Sequence, residues 1–379
     1  MSAGRVAAAI AVVFLLPAVA LLSAWSALAL WFRLPGPEWA KGLAAGLFVM
    51  LGAATAIALF TRRRWPALAV FALAFGALLV WWSTIKPPTD GDWAPDVARQ
   101  TTGKVDGDML TLSDVREFEW RSDSDFTERW SERSYDLSKL KTLDLFLAYW
   151  AGPEMAHVMM SFGFEDGDYL AWSVEVRREK NGEFSPIADA FRSHTLVYLA
   201  TTERDSVRLR SNVRGEDVRL YRLNTSPEQV RMLLLQYVAE ATALAKQPKF
   251  YNSITANCAT VVFKIVRAAG GTLPFDWRLV VNGFLPGYLY DQRVVVTTMP
   301  LSELMERARI NAQAKAADQS PDFSRLIRIG VPSPFGDPSG RRQIARRRRR
   351  RRLAHHDVEA EVVFPHLRPA EGRRGDHAQ

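Results

Sequence analysis

Three stretches without a single charged residue, 6–32, 42–61 and 65–85, constrain this chain more than any other feature. Each supplies the roughly 20 apolar residues needed to cross the hydrocarbon core of a bilayer. A cleavable signal peptide competes as a reading of the first, because Arg5 followed by an apolar run resembles its n- and h-regions. The run is long for that purpose, however, and two more spans follow within a few residues. Three transmembrane helices are therefore expected over 1–86. Trp25, Trp31, Trp39, Trp65, Trp81 and Trp82 lie in or beside them, where amphipathic rings anchor at the headgroup level. No Asp, Glu, Lys, Arg or His falls inside a span, so a transport or proton path is not expected and the helices read as an anchor in the lipid bilayer.

Orientation follows from the basic residues of the short loops. The second connection carries Arg62, Arg63 and Arg64 in succession, whereas the first carries Arg33 and Lys41 with Glu38. The second is thus expected on the cytoplasmic side, and everything after Lys86 on the outer side, the periplasm in a Gram-negative bacterium.

The net charge of +8 points to an anionic partner only until the charge is located. Residues 341–379 hold 12 arginines against five acidic residues, a net of +7, so residues 1–340 carry only +1. Seven consecutive arginines at 346–352 and the aperiodic sequence after them read as a solvated, disordered tail. On a membrane-anchored chain with a neutral body, nucleic acid is not an expected partner.

After the spans, Lys86-Pro87-Pro88-Thr89-Asp90-Gly91-Asp92 reads as a Pro- and Gly-rich exit from the bilayer, giving a linker over 87–104 and a folded domain over 105–320. Residues 321–379 are expected as loop and tail. Strands are expected at 109–112, 115–120, 143–150, 195–200 and 218–223. A β-hairpin joins 157–164 to 169–176 through Glu165-Asp166-Gly167-Asp168, with Asp-Gly at the turn. Ser226-Pro227-Glu228-Gln229 opens a helix running to about Leu244. A second runs from about Asn257 to Ala269, where Gly270-Gly271 stops it, and a third covers 301–316. Strands first and packed helices after them predict an α+β domain.

One cysteine, Cys258, excludes an intramolecular disulfide and any multi-cysteine metal site. Its place in the first turn of the second helix exposes it to the positive end of the helix dipole, which lowers a thiol pKa. The competing reading is a buried cysteine that only packs. Of six histidines, only His157 and His194 precede the tail. His157 begins the central hairpin strand, and a thiolate requires such a partner. Ser173 and Glu175 alternate with apolar residues on the return strand, so each is a candidate to orient the imidazole, while Glu175 has Arg177 and Arg178 as surface alternatives. No His, Asp and Glu cluster at metal-ligand spacing and no Gly-rich phosphate loop occurs, so neither metal nor nucleotide cofactor is expected.

Several separated motifs, in order, carry a family resemblance. They are Phe126-Thr127-Glu128-Arg129-Trp130 with Tyr135-Asp136-Leu137, the Ala156-His157-Val158 strand, the segment 175–178, Glu203-Arg204-Asp205 with Arg208-Leu209-Arg210, and Tyr251-Asn252 with Asn257-Cys258-Ala259-Thr260. Over roughly 105–312 the chain resembles the bacterial Lnb N-terminal periplasmic domain family, and the three-helix anchor looks like that family's usual arrangement. The resemblance names no substrate. A broader one, to circularly permuted papain-like amidases and acyltransferases, rests on a His-bearing strand before a helix that opens with Asn-Cys. It implies a thiol hydrolase or acyltransferase fold acting on an amide or ester of the cell envelope, with Cys258 as nucleophile, His157 as base and Glu175 or Ser173 holding the ring. The rival reading is a non-catalytic binding or assembly module.

Overall fold

Uninterrupted apolar sequence folds as helix wherever backbone groups have no other partners, and the three charge-free runs do so. The computed structural model describes residues 3–180, 182 and 185–336. Its first elements are α1 (Ala3–Arg33), α2 (Glu38–Ala58) and α3 (Arg64–Thr84), three helices long and apolar enough to cross a membrane. The hydroxyls of Ser23, Ser26 and Thr55 donate to carbonyls four residues back, so no hydroxyl of these three residues is left unmet in lipid. Gly52 allows α2 to approach α1 closely, since a Cβ there would stand 2.0 Å from Ser23 Oγ.

The domain comprises strands β1 (Thr102–Asp106), β2 (Met109–Arg116), β3 (Glu119–Trp120), β4 (Phe126–Thr127), β5 (Trp130–Asp136), β6 (Leu140–Tyr149), β7 (Ala156–Phe164), β8 (Tyr169–Arg177), β9 (Thr195–Thr201) and β10 (Asp217–Arg222). Between and after them come helices α4 (Pro186–Ala190), α5 (Glu203–Arg208), α6 (Pro227–Lys246), α7 (Cys258–Ala268), α8 (Leu285–Asp291), α9 (Leu301–Arg307), α10 (Asn311–Ala316) and α11 (Phe323–Leu326). Seven strands lie in the order β1-β2-β9-β8-β7-β6-β10, with β5 added against β2 and β3 pairing with β4 apart. Among the described residues only Arg116↔Thr201 pairs in parallel within the sheet.

Strand periodicity places Val158, Met160 and Phe162 on the face covered by α6 and α7, where Tyr237, Ala241 and Val262 complete the main core. Met159 points to the other face with Phe146 and Val218, against Val207, Ala314 and Phe323. Helices on both faces of a mostly antiparallel sheet make an α+β fold. β7 is therefore buried along its whole length, and a polar residue in it must have partners.

Three segments differ from their sequence expectation. Within 87–104, Pro95–Val97 forms a short 3-10 turn, and Ala94 and Val97 pack on Val197 and Leu199 of β9. The single helix expected over 301–316 is broken, because β10 is a sheet edge whose backbone needs partners. Residues 308–310 supply them: Leu220 N–H donates to Ala308 O and Ile310 N–H to Val218 O. Beyond 320 the chain is not simply loop, since α11 buries Phe323 and, just past it, Arg328 joins the buried carboxylates of Asp144 and Glu203. The Arg-rich run lies outside the described residues.

Candidate active site

The site begins with the register of the β7–β8 hairpin. Gly167 takes the turn's positive φ of 95°, and the ladder ends at Met159↔Ser173. Two residues further along that register Glu175 faces His157. The geometry is tight: His157 Nε2 lies 2.6 Å from Ser173 Oγ and 3.0 Å from Glu175 Oε1, and Ser173 Oγ–H donates to the same Oε1 at 2.6 Å. Both residues expected as alternative orienters thus contact one ring nitrogen. Arg210 comes from a π-helical turn, Leu209–Val213, and places Nη2 3.2 Å from Glu175 Oε1 while Nη1 lies 3.3 Å from Glu216 Oε2.

Cys258 is delivered by the start of α7. Asn252 closes the preceding loop, exchanging backbone bonds with Ala256 and accepting the N–H groups of Ile254 and Thr255 on its Oδ1. Asn257 then caps the helix: its Oδ1 accepts from Ala259 N–H at 3.0 Å and Thr260 N–H at 2.8 Å, and Thr260 Oγ1 returns a bond to the Asn257 N–H. The sulfur reaches the His157 ring in hydrogen-bonding contact. Nε2 of that ring is engaged by Ser173 and Glu175. With the hairpin ladder ended at Met159, the Val158 N–H also points at the sulfur. Asn282 Nδ2 stands 3.7 Å from Sγ on another side.

Burial alone would suppress charge on all three groups, and the mutual contacts overcome it. Burial and the Arg210 guanidinium push the His157 imidazolium down, but Glu175 and Cys258 outweigh them and it is pushed up to about 9. Burial likewise pushes the Cys258 thiol up, yet its bond to His157, the His157 charge and the Val158 N–H bring it below the ordinary thiol range. Glu175 is held well below the usual carboxylate range, since His157, Arg210 and Ser173 outweigh its burial. The contacts thus favour a charged His157 ring backed by the Glu175 carboxylate and shift the Cys258 thiol toward its thiolate. This is the arrangement that makes a cysteine nucleophilic.

The three residues border a cleft of about 610 Å³ whose wall includes Trp150, Met155, Arg178, Tyr251 and Asn282. His194 stands apart, bonded through Nδ1 to Asp189 at 2.6 Å. Among the described residues no group of three or more His, Cys, Asp or Glu could hold a metal ion. Sequence reasoning missed Asn282 and gave Arg210 no part in the site. Arg210 stood only inside a family motif, and Asn282 showed no local signal beyond its Asn-Gly pair with Gly283.

Residues 126–283 match the family model described as the Lnb N-terminal periplasmic domain. No curated protein and no solved structure matches the chain. The matched span contains every residue of the site from His157 to Asn282, so the site lies wholly within the part of the chain that is similar to the Lnb N-terminal periplasmic domain family.

Proposed function

We infer that the domain is a thiol hydrolase or acyltransferase, held at the outer face of the bacterial inner membrane by α1–α3 and acting on an amide or ester of the cell envelope. The observation that carries this reading is the contact of Cys258 with a His157 ring whose Nε2 is held by Ser173 and Glu175. In the reaction the Cys258 thiolate adds to the substrate carbonyl carbon, and the C=O π electrons move onto oxygen. Collapse of that tetrahedral species breaks the C–N or C–O bond, and His157 gives its proton to the leaving group. The thioester is then attacked by water or by an acceptor amine or hydroxyl. His157 takes the proton of the attacking group, and the thiolate leaves. Glu175 and Ser173 keep the ring in place and favour its charged form, with Arg210 holding Glu175 from behind.

The order of the His157 strand and the Asn257-Cys258 helix start, as in circularly permuted papain-like enzymes, supports the same reading. The family match and the three apolar helices support the envelope location. The test is intact-mass spectrometry of the full chain in nanodiscs after exposure to an activated ester. A covalent acyl adduct on Cys258, lost in Cys258→Ala and slowed in His157→Ala, is expected. An unreactive wild-type thiol would instead favour the binding-module reading, in which Cys258, only 7% exposed, simply packs.

A further inference from the structure

A thiol acyl-transfer site needs donors for the oxyanion, and the first turn of α7 is short of them. Its N–H groups at Ala259 and Thr260 are both committed to Asn257 Oδ1. The N–H of Cys258 itself remains, facing the Tyr251 hydroxyl. Capping the helix that presents the nucleophile has therefore consumed two of the backbone donors that such a helix start would otherwise offer.

Asn282 stands where the missing donor belongs. It is 6% exposed, far from α7 in sequence, and borders the cleft. Its Oδ1 accepts the Ala156 N–H at 2.9 Å, and because that partner can only donate, the amide is oriented with Nδ2 toward the sulfur, 3.7 Å away. The next residue locks this placement. Gly283 N–H donates to Glu154 O at 2.9 Å, its carbonyl accepts from the Tyr149 hydroxyl at 2.9 Å, and a Cβ on Gly283 would stand 2.0 Å from Pro153 O. The Asn-Gly pair is thus docked on the loop that leads into β7, one residue before His157.

We propose that the Asn282 carboxamide is the side-chain donor of the oxyanion hole, acting with the Cys258 N–H on the oxygen of a carbonyl under attack by Cys258. The inference rests on the thiol acyl-transfer reading above. Once the carbonyl carbon is bonded to Sγ, its oxygen enters the space between the sulfur and Nδ2, where a preorganised donor at about 2.7 to 3.1 Å acts on the developing charge. Asn282 gives a hydrogen bond and transfers no proton. The negative charge arises from the C=O electron pair and returns to the carbonyl on collapse.

Two reactions of the same sulfur separate this role from simple packing. Acylation by p-nitrophenyl acetate passes through an oxyanion, whereas alkylation by iodoacetamide displaces iodide at a saturated carbon and does not. With the full chain in nanodiscs, Asn282→Ala and the near-isosteric Asn282→Leu are expected to slow acylation about 10²- to 10³-fold. Alkylation at pH 7 should stay within about twofold of wild type, which also shows that the site is intact. Acylation unchanged in both variants, or both reactions slowed equally, overturns the proposal while leaving Cys258 as a nucleophile. A wild-type thiol that alkylates but never acylates overturns the parent reading, and this inference with it.

Discussion

Glu175 faces His157 across the hairpin with Oε1 3.0 Å from Nε2, and that carboxylate decides the charge of the ring. Burial and Arg210 both oppose an imidazolium, so without Glu175 the ring falls from about 9 toward the neutral form at pH 7. A neutral ring no longer stabilises the thiolate, and although the Glu175 charge by itself pushes the thiol up, the loss of the imidazolium outweighs its removal and the Cys258 pKa rises. In Glu175→Gln the alkylation–pH profile should shift upward by about one pH unit or more, roughly tenfold slower labelling at pH 7. Ser173→Ala should shift it less, since the Glu175 contact remains. A profile identical to wild type in Glu175→Gln would remove the carboxylate from the site.

The cap of α7 offers a separate handle on stability. Asn257→Ala strips two first-turn N–H groups of their acceptor and should cost about 1 kcal/mol, lowering Tm by about 2 to 4 °C. Asn257→Asp keeps the acceptor oxygens and should recover most of that loss. Thermal melts of the two variants side by side would expose a misread cap if their order reversed.

The parts legible in sequence were those fixed by short-range rules. Charge-free runs located α1–α3, and strand alternation with an Asp-Gly turn located the hairpin on which His157, Ser173 and Glu175 share a face. Helical apolar spacing with the Gly270-Gly271 stop located α7 and hence Cys258 in its first turn. What stayed hidden came from distant chain. Ala156 and Asn282 are 126 residues apart, and nothing near Asn282 signals that a strand start will orient its amide. The break at 308–310 answers the open edge of β10, a demand created only once the sheet exists. Arg328 read as loop because a lone arginine looks solvated until two buried carboxylates meet it.

That arginine tests whether the segment after 320 belongs to the fold. Arg328 lies 2.8 Å from Asp144 Oδ2 and 2.5 Å from Glu203 Oε1, and both carboxylates are essentially unexposed. Asp144 keeps Arg222 as a partner, but Glu203 is left with the Ser161 hydroxyl. Arg328→Ala should therefore destabilise the domain by about 3 to 5 kcal/mol in urea melts, the range for breaking a buried pair by removing one partner. A change of about 0.5 kcal/mol or less would mark the segment as a surface appendage.

Orientation rests on Arg62, Arg63 and Arg64 between α2 and α3. A reporter that works only after export should be active when fused after Leu112 and silent when fused at Arg63. The opposite pattern would invert the topology and take the envelope substrate with it.

Arg192 couples anchor and domain. Its Nη1 donates to Trp82 O at 2.7 Å, past which α3 ends, and its guanidinium lies 4.6 Å from the Trp82 ring centroid. Phe191 beside it packs against Trp25, Phe32 and Trp82. The backbone of Arg192 has a φ of 64°, a left-handed conformation that favours glycine, so this side chain is presented at a conformational cost. Arg192→Gly relieves the backbone and deletes the tether, whereas Arg192→Ala deletes the tether alone. Both should hasten proteinase K cleavage within residues 87–92 in nanodiscs, because the stretch leaving α3 loses its hold on the domain. Arg192→Ala should also lower Tm through the lost contacts, whereas Arg192→Gly should offset part of that loss by relieving the left-handed backbone. Equal cleavage rates in wild type and both variants would show that the domain is tethered by the covalent chain and the Phe191 packing without help from Arg192.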